Sequence, residues 1–267
     1  MQNQEQLNAE LIDASLANTP FHGQLHHLAS IDSTNTHALE QAKLGAPHGS
    51  YYIADEQTAG RGRSDHTWIS EAGEGLYLSV LLRPKISPSD LTWLPLLAGL
   101  AVHRAIREVT ALEADLRWPN DILIGPRKVA GILVEAVTDS GQLSAAVLGI
   151  GINLHQQTFP ADLATPATSL DLETGLYTCR QDLLVAILQE LNAELQHLNR
   201  TEAIAAVPNR IAAISTWVQG RQVEVHGPQP CSGTTLGLDP SGFLRVQTKT
   251  GPITITTGGL RDIDPQP

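Results

Sequence analysis

Three stretches hold side chains whose types and spacing suit chemistry. In Gln57-Thr-Ala-Gly-Arg-Gly-Arg-Ser-Asp-His-Thr-Trp68, glycines alternate with arginines. Glycine lets a backbone approach a ligand closely, and guanidinium groups are planar, permanently charged donors matched to carboxylate or phosphate. The loop therefore suits an anion, although a surface turn with solvated arginines would read the same way. Next comes Arg117-Trp-Pro-Asn-Asp121, a tight turn offering an amide and a carboxylate. Lys128-Val-Ala-Gly-Ile-Leu-Val-Glu135 then opens an apolar strand with a lysine, a scarce residue in a chain whose others are Lys43, Lys85 and Lys249. Lys128 is a candidate fixed cation or a strand-edge residue that blocks aggregation. Asp121 is a candidate site carboxylate or an Asx-turn residue. The third stretch, Gly149-Ile-Gly-Ile-Asn153, lacks the third glycine of a dinucleotide loop and runs into Thr, Pro and Asp rather than a helix, which excludes that reading. Asn153 is left at a strand end, suited equally to a nucleotide and to capping a turn.

The elements that must position these groups can be traced from periodicity and punctuation. Residues 5–17 form an amphipathic pattern, and Asp32 and Ser33 are N-caps for a helix to about Lys43, stopped by Gly45 and Pro47. Ser33-Thr34-Asn35 thus sits at a helix start. Tyr51 to Ala54 and Leu76 to Leu82 read as strands around the glycine-rich loop. Ser89 or Asp90 caps a core-facing helix through Val109, with Pro95 tolerated near its first turn. Asp115 to Trp118, Ile122 to Ile124, Lys128 to Val137 and Leu143 to Ile150 read as a strand meander, predicting a mixed or antiparallel sheet. Helices follow over residues 181–198 and on through Ile211. Beyond Trp217, short strands at Val218 to His226, Thr234 to Leu238, Gly242 to Thr248 and Pro252 to Thr257 predict a small β-barrel or sandwich, which puts a boundary near Ser215 and domains at 1–214 and 215–267.

Composition limits the function classes. A chain of 267 residues can bury a core without staples. Its 17 basic and 28 acidic residues give a net charge of −11, which disfavours DNA and anionic membranes as partners. Any anion site must be local, and 9 of the 17 basic residues fall between Arg61 and Lys128. Cys179 and Cys231 have no metal-ligand spacing and read as free thiols. His22, His26 and His27 lack a third ligand at metal spacing, so no metal site is expected. The first residues carry no apolar leader, and the apolar run Leu91 to Val102 is too short and too interrupted to span a bilayer, so a cytoplasmic protein is expected.

Taken in order, Asp-Ser-Thr-Asn35, the Gly-Arg-Gly-Arg63 loop, Trp-Pro-Asn-Asp121, Lys-Val-Ala-Gly-Ile-Leu-Val-Glu135 and Gly-Ile-Gly-Ile-Asn153 resemble the motifs of biotin protein ligases, over roughly Leu28 to Asp264. The resemblance implies an α+β fold: a mixed-sheet, class II synthetase-like catalytic domain followed by a small SH3-like β-barrel. It implies activation of biotin with ATP and Mg2+ to biotinyl-5′-adenylate, then transfer to a lysine of a carboxylase's biotin carboxyl carrier protein. On the matching positions, Ser33, Thr34, Asn35 and Gln57 would bind biotin, with the backbone at Arg61 and Gly62 closing over it. Arg63 and Lys128 would hold the carboxylate and α-phosphate, and Asp121 would complete the catalytic set. His66, Trp68, Asn120 and Asn153 would line the ATP side. Two positions depart from the family pattern: Ser64-Asp65-His66 where further glycine and basic residues are common, and Arg117 where lysine is common. A lipoate ligase or lipoyl transferase is the nearest alternative. A bifunctional ligase and repressor is another, but the 31 residues before Asp32 are too few for a DNA reader. A non-enzymatic binding module would not need Lys128 beside two arginines.

Overall fold

The computed structural model describes residues 6–64, 66–198 and 200–263. Residue 5, where the first helix is expected to begin, and Asp65 of the glycine-rich loop lie outside them. The first helix is shorter than its pattern, α1 (Ala9–Ser15), with Asn8 as its N-cap. Strand β1 (Leu25–Ile31) leads into α2 (Thr34–Lys43) and back through β2 (Tyr51–Gln57) in parallel, while the remaining neighbours of the main sheet are antiparallel. These are β3 (Gly75–Leu82), β4 (Asp115–Arg117), β5 (Asp121–Ile124), β6 (Arg127–Asp139) and β7 (Gln142–Asn153). Seven strands lie in the order β1-β2-β3-β7-β6-β5-β4, the mixed sheet and meander expected.

All eight residues of β3 are buried, so both faces of the sheet are covered. Alternation of side chains along a strand assigns the layers. Leu76, Leu78, Val80 and Leu82 pack with α3 (Trp93–Thr110) and α5 (Arg180–Leu195) in the large core. Leu81, with Tyr52, Ala145 and Val147, packs under Ala38 and Ala42 of α2. Tyr77 and Ser79 share the α2 face, and the register places Gly151 beside Tyr77 and Gly149 beside Ser79. The α2 face therefore has small residues at its centre, where Asn35 and Trp68 approach the sheet closely. A short 3-10 turn, Pro88–Thr92, precedes α3 and puts Pro95 in its first turn.

After α4 (Leu170–Thr174), α5, α6 (Thr201–Ala205) and α7 (Val207–Ile214), the chain forms a second, five-stranded antiparallel sheet. It comprises β8 (Gln219–His226), β9 (Cys231–Leu238), β10 (Leu244–Thr248), β11 (Gly251–Ile255) and β12 (Gly259–Asp262), in the order β11-β10-β9-β8-β12. Its apolar face, including Val223, Val225, Leu244 and Leu260, is continuous with the main core. Polar ties cross the junction: Trp118 Nε1 donates to the Gly242 carbonyl at 3.1 Å and Ser215 Oγ to the Leu116 carbonyl at 2.6 Å. Cys179 and Cys231 are not joined in a disulfide. Among the described residues no helix is long and apolar enough to cross a membrane.

Candidate active site

The helix start carries the first half of the site. Ser33 is the N-cap of α2, its hydroxyl accepting from the Thr36 amide, and Ser33, Thr34 and Asn35 are all buried. Gln57, at the end of β2, accepts from the Thr34 amide at 2.9 Å and the Thr34 hydroxyl at 3.0 Å, and donates to Ser70 Oγ at 2.8 Å. Ser79 Oγ lies 2.8 Å from Thr34 Oγ1 and 2.7 Å from Asn35 Oδ1, sharing its one proton between them. Asn35 Nδ2 donates to Glu135 Oε2 at 2.9 Å, and Arg61 reaches the other Glu135 oxygen at 2.7 Å. The hydroxyls and amides of Ser33, Thr34, Asn35 and Gln57 suit an uncharged polar ligand offering both donors and acceptors, while the one carboxylate, Glu135, is already paired with Arg61. Close approach explains the glycines beneath it: a Cβ on Gly149 would sit 2.3 Å from Asn35 Oδ1.

The second half is cationic. Lys128 Nζ lies 2.5 Å from Asp121 Oδ1, and Arg117 holds the other Asp121 oxygen at 2.6 Å. Burial alone would raise the Asp121 carboxyl, but the two cations outweigh it and keep the group below its ordinary range. Lys128 lies on an inner strand, with β6 paired to β5 on one side and β7 on the other. The edge-gatekeeper alternative therefore fails. Its main chain also pins the segment after β7, accepting from the Thr168 amide and donating to the Pro166 carbonyl. The Asp121 carboxylate is an ion-pair acceptor, not a free Asx-turn cap. The peptide bond between Trp118 and Pro119 is cis. Asn120 Nδ2 donates to the Ile132 carbonyl at 2.8 Å, and Asn153 Nδ2 to the Thr168 carbonyl at 2.9 Å.

The Gly-Arg-Gly-Arg loop joins the halves. Its two arms face each other, with Arg61 bridged to Thr67 and the Trp68 amide donating to the Gly60 carbonyl. Trp68 packs on the sheet where glycines leave room: a Cβ on Gly151 would meet its indole at 2.6 Å, and Lys128 Nζ stands 5.3 Å from the ring centroid. The buried Trp68 Nε1 has no hydrogen-bond partner among the described residues. Between the loop and Leu133–Glu135 of β6 lies a cleft of about 520 Å³, lined by Gly60, Arg61, Gly62, Arg63 and His66 among others. His66 is exposed, and its Nδ1 contacts the Arg63 carbonyl at 2.7 Å. Arg63 bonds Asn120 and the C-terminal sheet, and burial pushes its guanidinium below the usual arginine range, partly offset by Asp121.

Ser79 and Glu135 are the groups that motif reasoning left without a role. Ser79 has a visible signal, the one small polar side chain in a fully buried strand of glycine, leucine, valine and tyrosine. The three suspect histidines have structural partners: His22 pairs with Asp13, His26 stacks on Tyr52 and His27 bonds Asp55.

The α+β fold brings a buried cluster of polar side chains and a set of fixed cations to one site. Residues 27–153 match the model of the Biotin/lipoate A/B protein ligase family. The bifunctional ligase/repressor BirA of Bacillus subtilis is 34% identical over 227 residues, covering 83% of this chain and 68% of that protein. The biotin–[acetyl-CoA-carboxylase] ligase of Mycobacterium tuberculosis is 32% identical, covering 89% and 88%. The structure of the Aquifex aeolicus biotin protein ligase with biotin and ATP superposes with a TM-score of 0.77 at 30% identity, covering 90% of this chain and 98% of that one. The chain belongs to the Biotin/lipoate A/B protein ligase family.

Proposed function

We propose that this protein is an ATP-dependent biotin protein ligase. The observation that carries the reading is that the Thr34–Gln57–Ser79–Asn35 network and the Lys128–Asp121 pair both reach Trp68, the first through Ser70 and the second over its indole ring. A cyclic urea needs neutral donors and acceptors, which Ser33, Thr34, Asn35 and Gln57 supply. A carboxylate attacking a triphosphate needs cations, because two anions must approach. In the first step the biotin carboxylate oxygen attacks the α-phosphorus of ATP, pyrophosphate leaves, and biotinyl-5′-adenylate forms. Lys128 and Arg63 stabilise the charge gathering there, fixed in advance in a partly desolvated cleft. Asp121 holds the ammonium of Lys128 in place. In the second step the amine of a lysine on the carboxylase's biotin carboxyl carrier protein attacks the acyl carbon and AMP leaves.

Asn120, Trp68, Asn153 and His66 are assigned to the nucleotide side, and the backbone at Arg61 and Gly62 to closure over biotin. Magnesium accompanying the nucleotide would supply further charge neutralisation. Both Asp121 oxygens already face cations, so this carboxylate serves Lys128 and Arg117. We take residues 1–214 as the catalytic domain and 215–267 as an SH3-like barrel, a division supported by the change to short antiparallel strands after α7. The test is pyrophosphate–ATP exchange with biotin or lipoate as acceptor. Exchange dependent on biotin is expected; exchange driven by lipoate alone makes the chain a lipoate ligase, and none with either removes the ligase reading.

A further inference from the structure

Arg63 belongs to the glycine-rich loop, yet two of its hydrogen bonds cross to the far end of the chain. One terminal nitrogen donates to the Gly258 carbonyl and to Asn120 Oδ1, each at 3.2 Å, and the other to Thr257 Oγ1 at 3.2 Å. The turn that provides these acceptors is fixed from its own side. Gly258 has φ 142°, and a Cβ there would lie 2.4 Å from the His226 carbonyl of β8, so the turn is pressed against that strand. Gln229 Oε1 also accepts from the neighbouring Thr256 amide at 3.1 Å. The guanidinium is thereby clamped between the C-terminal sheet and Asn120, the residue beside Asp121.

A second connection runs the same way. Arg117, which holds Asp121, lies over the Trp217 ring at 5.3 Å, and Arg221 of β8 lies over the same ring at 3.9 Å. We propose that Thr257 and the Gly258 carbonyl are positioning groups for adenylation, presenting Arg63 to the phosphates so that the C-terminal sheet is a working part of the first half-reaction. This rests on the ligase reading above.

Thr257→Val keeps the side-chain shape and removes the acceptor. Losing one of the three hydrogen bonds that orient Arg63, at the worth of an ordinary net hydrogen bond, predicts a fall of about 3- to 10-fold in kcat/KM for ATP in pyrophosphate exchange. Biotin binding measured without ATP should be unchanged, and so should transfer of biotin from preformed biotinyl-adenylate. Thr257→Ser restores the acceptor and should behave like the parent. The discriminating readout is a double-mutant cycle: in an Arg63→Ala background, Thr257→Val should cost nothing further. An unchanged kcat/KM in Thr257→Val, or the same fall with and without Arg63, overturns the proposal. Absence of biotin-dependent exchange in the unaltered chain is a different result, overturning the ligase reading and this proposal with it.

Discussion

Replacing Lys128 with methionine separates catalysis from stability, because the structure assigns the two to different partners. The ammonium pairs with Asp121 at 2.5 Å, but Arg117 holds the same carboxylate at 2.6 Å, so removing the lysine does not strand a buried charge. Breaking a buried pair outright costs roughly 3–5 kcal/mol. With Arg117 still in place, about 1–2 kcal/mol is expected, which shifts the melting temperature of a domain this size by only several degrees. Methionine keeps the stem that packs beside Gly131 and Trp68. Loss of one preorganised electrostatic contact at a developing charge is worth about 2.7–4 kcal/mol, or on the order of 10²- to 10³-fold in rate. Pyrophosphate exchange should therefore fall by that factor, while thermal unfolding stays near the parent and biotin still binds through Thr34 and Gln57. Near-normal exchange in Lys128→Met, or a loss that follows unfolding, would refute the catalytic role of this lysine.

Glu135→Gln removes the charge that faces Arg61 yet leaves a carbonyl for Asn35. The pair is partly exposed and worth about 0.2–1 kcal/mol, so amide exchange in residues 58–68 should quicken by up to about fivefold without ligand, and identical exchange would show that Glu135 does not restrain the loop. The acid limb of stability follows from carboxyls that the fold depresses. Burial alone would raise Asp55, but hydrogen bonds from His27 and Arg180 outweigh it, and Asp121 is depressed likewise by Lys128 and Arg117. Both have ordinary values near about 4 when unfolded, so the unfolded chain binds more protons below that pH. Their contribution is fully present above about pH 5 and is lost as pH falls through the lower folded values. Urea unfolding at stepped pH should show this decline, and Asp55→Asn should flatten it while lowering stability at pH 7; an unchanged slope would assign the acid loss to other carboxyls.

The sheet, the α2 cap and the cation set were legible because each leaves a local mark. Ser33 precedes a helical pattern, β5 to β7 are separated by turn residues, and Lys128 is isolated in a chain poor in lysine. Strand β1 escaped for a physical reason. Leu25-His-His-Leu-Ala-Ser-Ile31 buries no residue fully and breaks the period-two alternation, since it is an edge strand held by β2 alone. Strand β12, only four residues long, lies likewise at an edge.

What one-dimensional reading misses at the site is the partner a charged group faces across a long separation. Gly-Arg-Gly-Arg announces an anion loop, but nothing in those residues says that Arg61 turns to Glu135 while Arg63 turns to Thr257 and Gly258. The two arginines stand two residues apart, and the second is half-buried while the first is exposed. Desolvation makes an electrostatic contact stronger and its orientation more consequential. Arg63 is thus the arginine whose removal should slow adenylation most, and Arg61 the one whose removal should chiefly loosen the loop.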